Sequence, residues 1–106
     1  MALILGIDTS NYTTSVAAFD GVGGKNCSRL LDVKPGEAGL RQSDAVFHHT
    51  RQLPEQLEQL KPVLQNDTIC AVGVSSRPRN LDGSYMPCFL TGLGMARGIA
   101  LTQHLP

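Results

Sequence analysis

An acid that closes a short aliphatic run, followed at once by hydroxyl and amide side chains, can hold a phosphate or a hydrated cation. Asp8-Thr9-Ser10-Asn11-Tyr12-Thr13-Thr14-Ser15 has that form. Its hydroxyls and backbone N–H groups can bind phosphate oxygens, and its carboxylate can hold a metal through the metal's water shell. Asp8, Thr9, Ser10 and Asn11 are therefore candidate nucleotide- or phosphate-binding residues. A hairpin turn uses the same residue types to satisfy its own backbone, and from spacing alone that is the commoner use. A second polar segment, Ser75 to Ser84, follows an apolar run and leads into a helical stretch. Ligands of open α/β sheets collect at the carboxyl ends of strands, and anions collect at helix N-termini. Ser76, Arg77, Arg79 and Asn80 are the candidate ligand-loop residues there, with the guanidinium groups suited to a carboxylate or phosphate. A solvated polar loop is the competing reading.

Other chemistry finds little support. His48 and His49 are adjacent, so on a helix they point about 100° apart and do not suit one metal ion. A structural or surface role fits them better. No catalytic residue and no metal ligand set is assigned. Nothing resembles a nucleophile elbow, and Gly21 to Gly24 lacks the Lys-Ser/Thr of a Walker loop. Nine acids balance nine bases, so no net field draws nucleic acid or an anionic membrane. Cys27, Cys70 and Cys88 form no Cys-x-x-Cys pair and read as reduced thiols of a cytoplasmic protein. Cys70 in particular reads as a small buried apolar residue. The apolar N-terminus is too short for a membrane span and lacks the basic flank of a signal peptide.

These residues need a scaffold. The chain has 106 residues, enough for one small domain, and 42% are hydrophobic. Leu3 to Ile7 reads as a first strand and Thr13 to Phe19 as a second, with Asp20-Gly21 and Gly23-Gly24 marking a turn. Cys27 to Val33 can form a third, which makes an antiparallel meander. Lys34 to Leu40 reads as a loop. Ser43 or Asp44 can cap a helix that places Val46, Leu53, Leu57, Leu60 and Leu64 at helical spacing. Pro54 is expected to kink or restart that helix, with Leu53 as the boundary, and Pro62 to loosen its end. Thr68 to Ser75 is almost continuously apolar, as in a central parallel strand buried on both faces. A last helix runs from near Ser84–Pro87 to about His104. Its Gly92, Gly94, Ala96, Gly98 and Ala100 would let another backbone approach closely. The order predicts an α/β domain with a mixed sheet, a three-strand antiparallel meander plus a parallel strand, and flanking helices.

In that order the segments resemble the tRNA threonylcarbamoyl transferase family TsaD, labelled O-sialoglycoprotein endopeptidase or Gcp, and its relative TsaB. Ile4-Leu5-Gly6-Ile7-Asp8-Thr9-Ser10 looks like the family's opening strand and turn. His49-Thr50-Arg51-Gln52-Leu53-Pro54 looks like its first long helix. Ala71-Val72-Gly73-Val74-Ser75-Ser76-Arg77-Pro78-Arg79 falls at its apolar strand and Gly-Pro-Gly loop. Gly92-Leu93-Gly94-Met95-Ala96-Arg97-Gly98-Ile99-Ala100 matches the Gly/Ala-rich helix that follows.

The resemblance implies a ribonuclease-H-like, actin-like ATPase (ASKHA) half-domain over residues 1–106, expected to be the N-terminal piece of a longer protein. It implies ATP or an adenylate with a divalent metal in the complete protein, and none for this chain alone. The implied activity is related to threonylcarbamoyladenosine modification of tRNA, with tRNA met only through the complete protein and no activity in this lobe by itself. The alternative it offers is a non-catalytic interaction or dimerisation module, as in TsaB, with a TsaD- or TsaB-like partner or a second copy on the last helix. Nothing in the residues supports the peptidase label. The chain departs from the TsaD pattern where Tyr12 and Thr13 replace acids and where Arg77-Pro78-Arg79 replaces Gly-Pro-Gly. The family's His-x-x-x-His motif would come beyond Pro106.

Overall fold

A computed structural model describes residues 2–10, 12–31, 42–65, 67–78 and 87–106. The expectations for Asn11, Arg79, Asn80, the Lys34 to Leu40 loop and a helix start before Pro87 lie outside these residues. Four strands form one sheet: β1 (Ala2–Asp8), β2 (Thr13–Phe19), β3 (Gly24–Leu30) and β4 (Thr68–Val74). Their spatial order is β3-β2-β1-β4. β2 is antiparallel to β1 and β3, and β4 is parallel to β1, so the mixed sheet expected of the sequence is present. The helices are α1 (Gln42–Gln59), the single turn α2 (Lys61–Leu64) and α3 (Pro87–Gln103).

Alternation sets the layers, because successive strand side chains point to opposite faces. Leu3, Leu5, Ile7 and Thr9 along β1, Thr14, Val16 and Ala18 along β2, and Cys27 on β3 are all buried. This row meets α1 over β2 and β3 and α3 over β1 and β4, and the two helices touch each other. Leu53, Leu60 and Ala96 complete the core from the helical side. Each fully buried leucine contributes about 1.5–3 kcal/mol relative to exposure. The opposite row carries Ile4, Phe19 and Leu30, which stay 47%, 48% and 70% exposed.

Several expectations change. β3 begins at Gly24, three residues before Cys27. Ser43 and Asp44 lie inside the first turn of α1 and do not precede it. Asp44 still faces the positive end of the helix dipole. The helix continues through Pro54 and breaks at Leu60. Pro54 sits on the exposed side, while Leu53 and Gln56 on either side of it are buried. That continuous buried face offsets the cost of about 3 kcal/mol for a proline inside a helix.

β4 is not buried on both faces. Its only strand neighbour among the described strands is β1, and none of its residues is fully buried. Among the described residues its outer edge is met where the Val72 N–H donates to the Pro106 carbonyl at 3.0 Å. Cys70 is exposed, while Cys27 and Cys88 are buried. The register steps from Leu3↔Ile69 to Ile4↔Ala71, so Cys70 is the extra residue of a bulge with no β1 partner.

Candidate functional site

Parallel pairing puts the carboxyl ends of β1 and β4 at one edge. Ile7 lies opposite Val74, and the Ser75 N–H donates to the Ile7 carbonyl at 3.2 Å. Asp8 and Ser75 thus end adjacent strands, with Ser76 and Arg77 exposed just beyond. The two segments that the sequence singles out separately meet at this edge. On the open face of the sheet a hollow of about 330 Å³ runs down from it, lined by Gly6, Ile7, Asp8, Ser15, Ala17, Gly73, Val74 and Ser75. Gly6 and Gly73 are register partners, so the hollow exists because the middle of this face carries no bulky side chain.

Asp8 Oδ1 accepts the Ser10 N–H at 2.8 Å. This bond holds the turn after β1 and still leaves the carboxylate at the rim of the hollow. Thr9 points the other way and is wholly buried. Its hydroxyl donates to the Cys88 carbonyl at 2.7 Å and accepts the Gly92 N–H at 3.0 Å. That hydroxyl therefore ties β1 to the first turns of α3. The Cys88 N–H donates to Gln42 Oε1 at 3.2 Å, so α1 satisfies one of the free amides at the start of α3. The Cys88 thiol donates to the Ser10 carbonyl at 3.6 Å. Burial raises the pKa of that thiol, and the Asp8 charge adds a smaller push in the same direction.

Of the sequence-derived candidates, Asp8, Ser10, Ser76 and Arg77 share one edge, and Thr9 is directed into the core. Ser15 and Ser75, which belong to the two segments but not to the candidate residues chosen from them, also line the hollow. The signal for Ser15 was its register with Asp8 across the hairpin, which follows once the turn length is known. Among the described residues no group of three or more His, Cys, Asp or Glu could hold a metal. A cation at Asp8 would rest on that carboxylate, nearby hydroxyls and its own water, which suits a hydrated hard cation.

A second polar cluster lies inside. His49 is wholly buried, and its Nδ1 is 2.7 Å from Thr14 Oγ1. Thr14 Oγ1 donates to Gln52 Oε1 at 2.9 Å, and Gln52 Nε2 donates to the Leu30 carbonyl at 3.4 Å. A hydroxyl has one proton, so Thr14 must accept from His49, which assigns the proton to Nδ1. Gln56 Oε1 is buried with no hydrogen-bond partner among the described residues.

No family model matches the sequence, and no curated protein matches it. Solved structures do match in fold. The whole chain superposes on YeaZ from Pseudomonas aeruginosa with a TM-score of 0.71 and 16% identity, covering 42% of that protein. It superposes equally completely on an uncharacterised protein with similarity to peptidase YeaZ, from the same organism, with a TM-score of 0.70, 17% identity and 41% of that chain covered. The chain thus spans about two-fifths of the length of these structures. The likeness establishes a YeaZ-like α/β fold for this chain.

Proposed function

We propose that this chain is a non-catalytic interaction module related to TsaB (YeaZ), serving a protein assembly linked to threonylcarbamoyladenosine modification of tRNA. The observation that carries this reading is the division of small residues on α3. Gly92 and Ala96 face inward and are buried. Gly94 and Gly98 face open space, with no atom within 4 Å of a Cβ placed on either. Leu90 and Leu101, at the helical spacings that continue this face, are 48% and 66% exposed. A glycine and leucine face of this kind lets another helix approach closely and still buries apolar area. The partner would be a TsaD- or TsaB-like protein or a second copy of this chain. Among the described residues no helix is long and apolar enough to cross a membrane.

Light scattering on the purified chain, alone and mixed with a TsaD-like protein, tests this. Association is expected, and Gly98→Arg or Leu101→Asp should abolish it without unfolding the chain. A strict monomer that also ignores the TsaD-like protein would refute the reading.

The hollow beside Asp8 favours a second reading. Here the chain is the N-terminal lobe of a TsaD-like transferase, and Asp8 and Ser10 take part of a nucleotide phosphate with Ser76 and Arg77 at the same edge. In a completed cleft these residues would hold ATP or an adenylate with a divalent metal, which would supply the activated group for transfer. The lobe alone would bind it weakly. Calorimetry with ATP and magnesium tests this reading: the isolated chain should give at most weak heat, lost in Asp8→Asn, and micromolar binding by the isolated chain would refute an incomplete site.

A further inference from the structure

The seam between α1 and β3 carries a cluster that neither reading uses. Arg29 from β3 and His48, Arg51, Gln52 and Glu55 from α1 line a cleft of about 40 Å³. It shares no residue with the hollow beside Asp8. Arg29 Nη1 donates to Glu55 Oε2 at 3.3 Å, which neutralises the cleft's one carboxylate and holds the Arg29 guanidinium in place. The Arg51 guanidinium carbon stands 5.6 Å from the Phe47 ring centroid. The His48 ring packs edge-on against the same ring at 5.4 Å. Among the described residues Arg51 has no carboxylate partner. Gln52 is 4% exposed, and its Oε1 is occupied by Thr14. Its amide nitrogen is thereby oriented, with an N–H on the Leu30 carbonyl.

The cleft therefore offers two guanidinium groups, an imidazole and a pre-oriented amide against a single, already paired carboxylate. A cation finds no free oxygen cage there. The donors come from two walls, the strand and the helix. A tetrahedral phosphate presents oxygens in several directions and more negative charge than a carboxylate, so it can accept from both walls at once. We propose that this cleft is a phosphate-binding site, taking either a free monoester such as a mononucleotide or a diester of a nucleic-acid backbone.

Two-dimensional amide NMR of the 106-residue chain, titrated with inorganic phosphate at constant ionic strength, is the test. Saturating shifts are expected at residues 29, 48, 51, 52 and 55. Arg51→Gln and Arg29→Gln should each weaken binding about tenfold, the loss expected for one charge-assisted contact, while leaving the rest of the spectrum in place. Arg51→Lys should recover part of the affinity. Titrations with AMP and with a short oligoribonucleotide identify the source: tighter binding of the oligomer assigns the diester, and equal or weaker binding assigns the monoester. Shifts no larger than those from chloride, or saturation unaffected by both variants, would overturn the proposal. Saturation at Gly6, Asp8 and Ser75 instead would also overturn it, and would move the anion to the hollow.

Discussion

Gly92 has no room for a side chain beside Thr9. A Cβ at Gly92 would stand 2.8 Å from Thr9 Oγ1 and 3.3 Å from the methyl carbons of Thr9 and Ile7. The bond between Thr9 Oγ1 and the Gly92 N–H therefore depends on the glycine as much as on the threonine. Gly92→Ala should destabilise the chain by about 1–3 kcal/mol, as expected for overpacking a tight contact. Gly94→Ala and Gly98→Ala, two and six residues on, should each stabilise it by about 0.5–1 kcal/mol, because α3 gains helix propensity without a clash. Urea unfolding of the three variants reads both signs in one experiment.

Thr9→Val keeps the shape of the side chain and removes both bonds. It leaves the Cys88 carbonyl and the Gly92 N–H buried without their partner, a loss of about 1–3 kcal/mol. Thr9→Ser keeps the hydroxyl and should lose much less. Equal losses for Val and Ser would show that packing, and not the hydroxyl, holds β1 to α3.

The proton order in the buried cluster is open to direct observation. His49 should be the Nδ1–H tautomer, seen as an Nδ1 with an attached proton in ¹⁵N spectra of the imidazole. Thr14→Val removes the group shared by His49 and Gln52 and should cost about 2 kcal/mol. An Nδ1 found without its proton would reverse the direction of the chain of bonds.

The thiols should differ in reactivity. Cys70 is exposed and should react readily with an alkylating reagent. Cys27 and Cys88 are buried and should react about tenfold or more slowly, at a rate limited by opening of the core.

Among the described residues, two groups with shifted pKa values should each add a pH dependence to stability. Cys88 is held neutral, with its folded pKa above the ordinary value of 9.0. Above that ordinary value the unfolded thiol ionises first, so stability should fall as pH rises from about 9 toward the folded pKa. Asp20 shifts the other way, because its carboxylate accepts the Gly23 and Val22 N–H groups in the β2–β3 turn. Its contribution is present above the ordinary carboxylate pKa and is lost as pH falls through the lower folded value. Asp20→Ala should flatten the acid limb of a denaturation-against-pH curve and leave the alkaline limb unchanged, whereas Cys88→Ser should do the reverse.

Local signals in the sequence were sufficient where one element is set by its own residues. Thr13 to Phe19 is bounded by polar residues before it and by Asp20-Gly21 after it, and β2 has those limits. The run from Thr68 reads as a parallel strand because only a crossover through α1 can place it beside β1. What was not legible depends on neighbours. Nothing near Cys70 announces a bulge, since the bulge arises from the match between β4 and β1. Pro54 reads as a break because its cost is local, while the offsetting contacts of Leu53 and Leu60 are tertiary. The inward stripe of α1 carries His49, Gln52 and Gln56, so counting only apolar residues misplaces its buried face. The candidate hollow followed the same division. Asp8 and Arg77 announce themselves by residue type, but Ser15, Gly6 and Gly73 become part of it only through strand register.

The single bond from Val72 to Pro106 has a practical consequence for handling the chain. The Pro106 carbonyl is anchored against the rim of β4, so any peptide appended there starts alongside an edge that has no strand neighbour among the described residues. A stiff, β-prone tag would be guided into zipping along Val74, whereas a glycine-serine spacer would leave that edge as it is.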